Sequence, residues 1–478
     1  MPVRRLHRAV RSLASEIEQR MTSGSNPAEA VESSVLADGT YDVVITGTGL
    51  TECILSGLLS KRGFKVLHID RNPYYGGACA SLDLQQMWKK FCVSGSIPEE
   101  LGSAREYNID LIPKFILATG KLVRILVYTG ATRYLDFKLV DGSFVHTGDR
   151  PHRVPSTPMD ALRSSLFSLL EKNRCRQFFG FVQSYDPEQV TQRGPDPRTM
   201  TMRALYDYFG LQETTRTLIG HAIALYTNDA YLEWPALPTI ERIKVYAQSV
   251  ARYGSSPYIY PMYGLGELPQ AFARLSAVHG GVYMLRTDVE TILTDTETGR
   301  VCGIRTPDGR EARCRFVVGD PSYFPDLVHR VGRIIRCYCI LRAAPAHIRE
   351  ASSCQVIVLH RAVAAERRND IYVLVLNSAH RVAAPDRYIA LVSTVMETAD
   401  AEQEIEAGLA ILGGEANILA RFLTVDDVFE PIHDGRECGI FVSRSYDATT
   451  HFESTTEDVL DLYRRIVGEE LMFDDKPV

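Results

Sequence analysis

The sequence lacks any long run of apolar residues. No window of its 478 residues approaches the ~18 consecutive apolar residues that a membrane-spanning helix needs, so we predict no integral membrane segment. It also lacks an excess of positive charge, since 53 Lys and Arg stand against 59 Asp and Glu. This mild negative balance provides no general field for polyanions, and we therefore expect no nucleic-acid partner.

Cysteines at metal-binding spacing are also missing. The ten cysteines form no C-x-x-C motif, and Cys337 and Cys339 lie two residues apart in an apolar run. On a strand, two such side chains share one face, which is not the geometry of zinc ligands. We predict reduced core thiols in a cytoplasmic protein, with neither a structural disulfide nor a metal.

The first 39 residues differ from the rest of the chain. Basic and apolar residues alternate there at helical spacing, namely Arg4, Arg5, Arg8 and Arg11 with Leu6, Val10, Leu13 and Ile17. The pattern suits a short amphipathic helix, but the acidic residues that follow argue against an organelle transit peptide. We predict a flexible N-terminal extension over residues 1–39.

The next residues have the pattern of a nucleotide-binding fold. A β-branched apolar run over residues 41–46 ends at Gly47 and Gly49, a helical apolar stretch follows, and a second apolar run ends at Asp70. Strand, glycine turn, helix, strand and a terminal acid about 20 residues after the glycines are typical of a Rossmann-like opening. Asp70 stands where a ribose-binding carboxylate would lie.

The third glycine of the dinucleotide fingerprint is absent. The full pattern is G-x-G-x-x-G, whereas Glu52 occupies the last position here. A carboxylate in the first helical turn can itself occupy the positive end of the helix dipole, with a gain of ~0.3–1 kcal/mol, and would repel a pyrophosphate. We predict that the chain keeps the fold and binds no dinucleotide cofactor.

Several long blocks of the chain resemble one family. Residues 41–77, 108–115, 131–138, 220–229, 251–281 and 443–453 are similar, in the same order, to the Rab GDP-dissociation inhibitors. The resemblance implies an α/β, flavoprotein-like (FAD/NAD-binding-type) Rossmann-like fold of several sheets with an inserted all-helical domain. We expect domain I over residues 40–154 and 256–470, the helical domain II over 155–255, and a tail over 471–478.

The helical insertion contains more apolar residues than one face of its helices needs. From the residues alone, a bundle that packs only on itself remains an alternative. The resemblance implies instead that the insertion opens to hold a prenyl chain. The apolar candidates for lining such a pocket are Leu162, Leu166, Leu169, Phe178, Ile223 and Leu225.

The resemblance also places a GTPase-binding platform on six positions, namely Tyr75, Glu267, Gln270, Arg274, Val282 and Met284. Tyr and Arg are enriched at interface hot spots, and Met adapts to several partners. Val282 stands where the family usually has Thr, which removes one hydroxyl. A mobile loop that contacts the GTPase falls on Arg252, Tyr253, Gly254, Ser255 and Ser256, and Ser255 replaces the usual Lys.

The implied function is stoichiometric binding without catalysis. We expect a monomer that binds GDP-bound, geranylgeranylated Rab GTPases, shields their isoprenoid lipid and touches membranes transiently. One alternative is a Rab escort protein, although this chain has no room for the long insertions of that family. Another is a flavin-dependent oxidoreductase on the same fold, but His221 and His451 lie in no nucleophile–base pattern and are expected to be core residues.

Overall fold

The computed structural model describes residues 34–148, 150–155, 168–188, 194–254, 256–348 and 351–473. In chain order the strands are β1 (Val35–Thr40), β2 (Val43–Thr46), β3 (Val66–Asp70), β4 (Ser81–Leu82), β5 (Ile109–Asp110), β6 (Ile116–Leu117), β7 (Phe137–Leu139), β8 (Gly142–His146), β9 (Pro151–Arg153), β10 (Tyr258–Pro261), β11 (Val282–Leu285), β12 (Thr291–Thr294), β13 (Val301–Arg305), β14 (Glu311–Arg313), β15 (Phe316–Gly319), β16 (Val328–Leu341), β17 (Cys354–Val358), β18 (Ile371–Asn377), β19 (Tyr388–Val395), β20 (Ile418–Pro431) and β21 (Ile440–Val442).

The α-helices are α1 (Leu50–Lys61), α2 (Leu84–Lys90), α3 (Lys121–Thr129), α4 (Leu169–Ser184), α5 (Met202–Tyr208), α6 (Glu213–Thr217), α7 (Leu237–Tyr253), α8 (Glu267–Val278), α9 (His360–Val363), α10 (Ala401–Ile411) and α11 (Glu453–Val467). A π-helical turn, Leu218–Ile223, follows α6 directly. No helix in the described ranges is long and apolar enough to cross a bilayer.

A five-stranded parallel sheet forms the centre of the Rossmann-like part. Its strand order is β11-β3-β2-β15-β21, and α1 connects β2 to β3. Alternate residues of β2 face opposite sides, because Val43 and Ile45 pack with α1 whereas Val44 packs with the four-stranded sheet β1-β14-β13-β12. Both faces of this sheet are therefore covered, as parallel sheets require.

A seven-stranded sheet lies beside it, in the order β20-β16-β19-β18-β17-β8-β9. Its pairs are antiparallel except for β8 with β17. Cys337 and Cys339 project from the same face of β16 toward α10, with their sulfur atoms 3.8 Å apart. All ten cysteine thiols are free.

The helical insertion, α4 to α7, lies between β9 and β10 in the chain. Its buried side chains, including Phe178 and Ile223, join the same continuous core as α1 and β2. The insertion therefore does not pack only on itself. Its last helix, α7, ends at Gly254, whose φ of +82° is a left-handed conformation that glycine adopts without strain.

Candidate functional site

The β2–α1 turn places backbone donors where a dinucleotide phosphate would bind. Gly47 has a φ of +87°, and Gly49 precedes the first residue of α1. The N–H groups of Leu50 and Thr51 donate to the hydroxyl oxygen of Tyr446, at 3.1 and 3.4 Å. The positive end of α1 therefore already has a partner from the chain itself.

Glu52 fills the remaining space in this turn. Its carboxyl group is buried, Ser443 Oγ donates to its Oε1 at 2.7 Å, and its other oxygen lies against Gly49. Burial, together with the neighbouring Asp320, raises the pKa of Glu52 to about 8. The expectation of a charged carboxylate that repels phosphate is therefore wrong: near pH 7 the group is largely neutral, and it blocks the turn by occupying it.

Both carboxylate oxygens of Asp70 also accept hydrogen bonds from groups of the protein itself. One carboxylate oxygen accepts from the Thr48 N–H at 2.7 Å and the Thr48 hydroxyl at 2.6 Å. The other accepts from the backbone N–H and side-chain amide of Asn72, at 2.7 and 2.9 Å. This buried carboxylate has no oxygen left over for a ribose. Together with Glu52 and Tyr446, it makes the turn a poor fit for a flavin dinucleotide.

Helix α8 presents the predicted platform residues on one face. Glu267, Gln270 and Arg274 are spaced three and four residues apart and are exposed, whereas Leu268, Phe272 and Leu275 on the opposite face are buried. The Arg274 guanidinium lies 4.5 Å from the centre of the Tyr134 ring, which orients it by a cation–π contact.

Strand β11 lies beside α8 as the edge strand of the parallel sheet. It carries Val282 and Met284, both half-buried, which pack with Val44 and Ile304 on the sheet face opposite Tyr283. Tyr75 is half-buried as well, and its ring centre lies 6.0 Å from that of Tyr283 in the same strand. The structure thus joins Tyr75 to β11, although no sequence spacing connects them.

A chain of hydroxyl groups holds β11 and α8 to α1. Tyr283 donates to Ser56 Oγ at 2.9 Å, and Ser56 donates to Ser276 Oγ at 2.9 Å. Gly57 brings α1 close to α8, since a methyl group there would press on Phe272 and Leu275. The surface therefore rests on a rigid support. We call the six residues Tyr75, Glu267, Gln270, Arg274, Val282 and Met284 the α8–β11 surface.

The predicted loop is only partly irregular. Arg252 and Tyr253 form the last turn of α7 and Gly254 caps it, so these residues extend the helix rather than open a loop. Ser256 is buried, and its hydroxyl accepts from the Tyr258 N–H at 3.3 Å. Ser255 lies outside the described residues.

Of the six lipid-pocket candidates, the four that the structure describes are either buried in the core or exposed to solvent. Phe178, Ile223 and Leu225 are at most 6% exposed and pack in the core. Leu169 is 87% exposed at the start of α4, and Leu170 beside it is 61% exposed. Leu162 and Leu166 lie outside the described residues. If the insertion takes up a lipid, its helices must therefore separate.

Comparison with known proteins shows which family this chain belongs to. The sequence profile of the GDP dissociation inhibitor family matches residues 37–478. The chain belongs to this family. It is 47% identical over 437 residues to Rab GDP dissociation inhibitor beta of Rattus norvegicus, an alignment that covers 91% of this chain and 96% of the relative.

Solved structures agree with this membership. The Rab GDI from Plasmodium falciparum aligns with a TM-score of 0.86 and 42% identity, covering 91% of this chain and 99% of that one. An oxidoreductase from Methanosarcina mazei aligns with a TM-score of 0.55 and 16% identity, covering 88% and 99%. The second likeness concerns the fold alone. The predictions of family and of a flavoprotein-like α/β fold are confirmed.

Sequence reasoning missed the residues that close the dinucleotide turn. Tyr446 and Ser443 lie almost 400 positions after Glu52, in a block that the family resemblance covers but to which we assigned no role. No periodicity or spacing joins residues so far apart. His221 and His451, considered for the enzyme alternative, are both buried.

Proposed function

We propose that this chain acts as a Rab GDP dissociation inhibitor. It binds GDP-bound Rab GTPases through the α8–β11 surface, slows the release of GDP and performs no catalysis itself. It extracts prenylated Rab from membranes and returns it through the cytosol during vesicle trafficking. We further propose that the chain works as a monomer, without a cofactor, in the cytoplasm with transient membrane contact.

The observation that carries this proposal is the composition of the α8–β11 surface. An acid, an amide and a guanidinium project from one exposed face of α8, and Tyr75 lies half-buried against Tyr283 of the adjacent strand β11. Exposed polar and charged groups near a partly buried aromatic ring are a usual make-up of a protein interface. The rigid support from α1 favours recognition of one shape of the partner, which is what distinguishing the GDP form of a GTPase requires.

The lipid part of the function rests on helix α4. A chain of about twenty carbons gains on the order of 10 kcal/mol or more in a bilayer at ~0.8 kcal/mol per CH₂ group, so only a dedicated apolar site could compete. Helix α4 buries only Glu171, Cys175, Phe178 and Val182 of its 16 residues. Displacing α4 would expose Phe178 and break the hydrogen bonds of Glu171 with Gln212 and Thr215, so the bound lipid must offset that cost. We propose that α4 moves away from the core to admit the prenyl chain.

The test measures nucleotide release and extraction together. Purified protein is added to liposomes that carry prenylated Rab loaded with GDP or with a GTP analogue. We expect release of the GDP form into the supernatant and slower loss of a fluorescent GDP, with little effect on the GTP form. Extraction that ignores the nucleotide would contradict the inhibitor function, and extraction that depends on a prenyltransferase would favour the escort alternative.

A further inference from the structure

Two histidines and two aspartates form a closed ring between the helical insertion and the seven-stranded sheet. His221, in the π-helical turn, and Asp229 come from the insertion, whereas His360 in α9 and Asp370 before β18 come from the sheet. His221 Nδ1 lies 2.5 Å from one oxygen of Asp370, and His360 Nδ1 lies 3.0 Å from the other. The two imidazole rings are 5.5 Å apart, centre to centre.

Three of these residues have the ligand types of a transition-metal site. His221, His360 and Asp370 are buried, and one potential ligand atom from each lies within 4.8 Å of the others. Imidazole nitrogen with a carboxylate oxygen is a donor set that suits Zn²⁺. No signal in the sequence predicts this site, because His221 and Asp370 are 149 positions apart.

His221 has the outer partner that a metal-bound histidine normally has, whereas the Nε2 atom of His360 lies beyond hydrogen-bond distance of the same carboxylate. A ligating histidine usually donates its second ring N–H to a carboxylate, and ligating carboxylates are themselves hydrogen-bonded. His221 Nε2 lies 3.2 Å from one oxygen of Asp229, and His360 Nε2 lies 4.0 Å from the other. The backbone N–H of His360 donates to Asp370 at 2.8 Å. The Nδ1 atoms of both rings thus face Asp370, and their Nε2 atoms face Asp229 on the opposite side.

The ring itself carries the charge that one divalent cation would neutralise. With both imidazoles neutral, Asp370 and Asp229 contribute two negative charges. Arg361 pairs with Asp229 and with Glu213 on the outer side of the ring.

An approach from solvent is also present. A cavity of about 300 Å³ is lined by two acids, Asp229 and Glu213, and by three arginines, Arg203, Arg216 and Arg361. Asp229 therefore faces both the cavity and the two histidines. Its carboxylate would remain next to the histidine ligands once a cation is bound.

We propose that His221, His360 and Asp370 bind a divalent cation of the zinc class, with Asp229 as the supporting carboxylate. Ligands at the usual 2.0–2.2 Å from tetrahedral Zn²⁺ lie roughly 3.3 Å apart. The two Nδ1 atoms lie 2.5 and 3.0 Å from the Asp370 oxygens, and the three ligand atoms lie within 4.8 Å of one another, so each ring must move by less than roughly 1 Å relative to Asp370 to reach that spacing. Because the ligands come from both parts, a bound ion would fasten the insertion to the sheet. The proposal does not depend on GTPase binding.

The experiment uses tag-free full-length protein treated with EDTA and then dialysed. Zn²⁺ is titrated in competition with a chromophoric chelator, and Co²⁺ is added separately for its visible absorption in a tetrahedral site. The variants are His360→Ala and Asp370→Asn, and the matched control is His347→Ala, at an exposed histidine nearby in the chain. Circular dichroism checks that each variant is folded.

We expect the unchanged protein and His347→Ala to bind one Zn²⁺ per chain and to melt at a higher temperature when zinc is present. His360→Ala should weaken binding by ~10-fold or more and lose the thermal shift. Asp370→Asn should do the same if it folds. The site would be refuted by the absence of saturable Zn²⁺ uptake below millimolar concentration, or by equal uptake in His360→Ala. The cluster would then be an ion pair held by a proton.

Discussion

At the scale of single residues, the dinucleotide turn shows how one substitution changes the role of a motif. Glu52 replaces a glycine whose small size normally lets phosphate approach the helix end. The structure adds two partners, because Ser443 binds the Glu52 carboxyl group and the Tyr446 hydroxyl accepts the first N–H groups of α1. Three side chains of the protein therefore occupy the phosphate site, and the expected loss of cofactor binding does not depend on Glu52 alone.

Restoring the glycine should therefore fail to restore a flavin site. We expect Glu52→Gly protein to be colourless and to release no flavin on denaturation, because Tyr446 still satisfies the helix end and Asp70 remains bound to Thr48 and Asn72. The measurement is the absorption spectrum after incubation with FAD and gel filtration. Stoichiometric flavin in the variant, but not in the unchanged protein, would show that Glu52 is the sole block.

The raised pKa of Glu52 predicts a pH dependence of stability. The folded protein holds this proton up to about pH 8, whereas the group has an ordinary pKa of 4.5. Folding therefore takes up a proton between these values, and the contribution of the group to stability is lost as the pH rises toward 8. Glu52→Gln has the same shape and does not titrate. In urea unfolding, the stability of the unchanged protein should fall relative to this variant by up to ~1.4 kcal/mol per pH unit. A pH-independent difference would contradict the prediction.

At the scale of secondary-structure elements, α8 has a buried face that supports the fold and an exposed face that we propose binds the GTPase. Its buried face packs on α1, and its exposed face carries Glu267, Gln270 and Arg274. Helical periodicity predicts this division from the sequence alone. Helix α4 is different: its amphipathic pattern does not reveal that its first residues stay exposed while Phe178 is buried.

Arg274→Ala should weaken binding to GDP-loaded, prenylated Rab by ~1–3 kcal/mol and leave the melting temperature nearly unchanged. Only an exposed cation–π contact with Tyr134 is lost within the protein itself. Tyr75→Ala should behave similarly. Val331→Ala, at an exposed position in β16, outside helix α8, is the control. Equal losses of stability and binding would show that these residues support the core. Val282→Thr should change affinity little or raise it modestly.

The structure changes which substitutions can test the lipid site. A charged residue in place of Ile223 or Leu225 would be buried and would destabilise the fold, so neither substitution can test the lipid site. Leu169→Glu keeps the fold because the side chain is exposed, and we expect it to reduce extraction of prenylated Rab from liposomes. Met472→Glu is the matched control at another apolar side chain, 77% exposed. Equal extraction by the two variants would contradict the assignment of the lipid site to α4.

At the scale of the whole molecule, the proposed function requires two separate sites to act on one partner. Linking a protein surface to a lipid site raises the overall affinity through effective concentration, without new contacts. The α8–β11 surface belongs to the Rossmann-like part, and α4 belongs to the insertion. The proposed cation site joins these two parts and would limit how freely the insertion moves.

Removing the lipid from the partner should separate the two contributions. With unprenylated, GDP-loaded Rab we expect weaker binding overall, a persistent effect of Arg274→Ala and no effect of Leu169→Glu. Binding is measured by fluorescence titration with the same variants. An effect of Leu169→Glu that survives removal of the prenyl group would place α4 in the protein interface rather than in a lipid site.

Much of this protein follows from its sequence alone. Apolar runs and the glycine turn specify β2, α1 and β3, because their burial depends on local periodicity. The long blocks around them resemble the GDP dissociation inhibitors closely enough to indicate the family. The exposed face of α8 is also readable, since residues three and four apart share one side of a helix.

Only the tertiary structure decided what lies opposite these elements. It brought Tyr446 and Ser443 to the end of α1, Tyr75 to β11, and His221 to Asp370 across two parts of the chain. It also showed that the side chains of Ile223 and Leu225 are buried in the core. Local periodicity determines which side of an element is buried, but the partner on that side is chosen by chain topology and side-chain packing, and these join residues hundreds of positions apart.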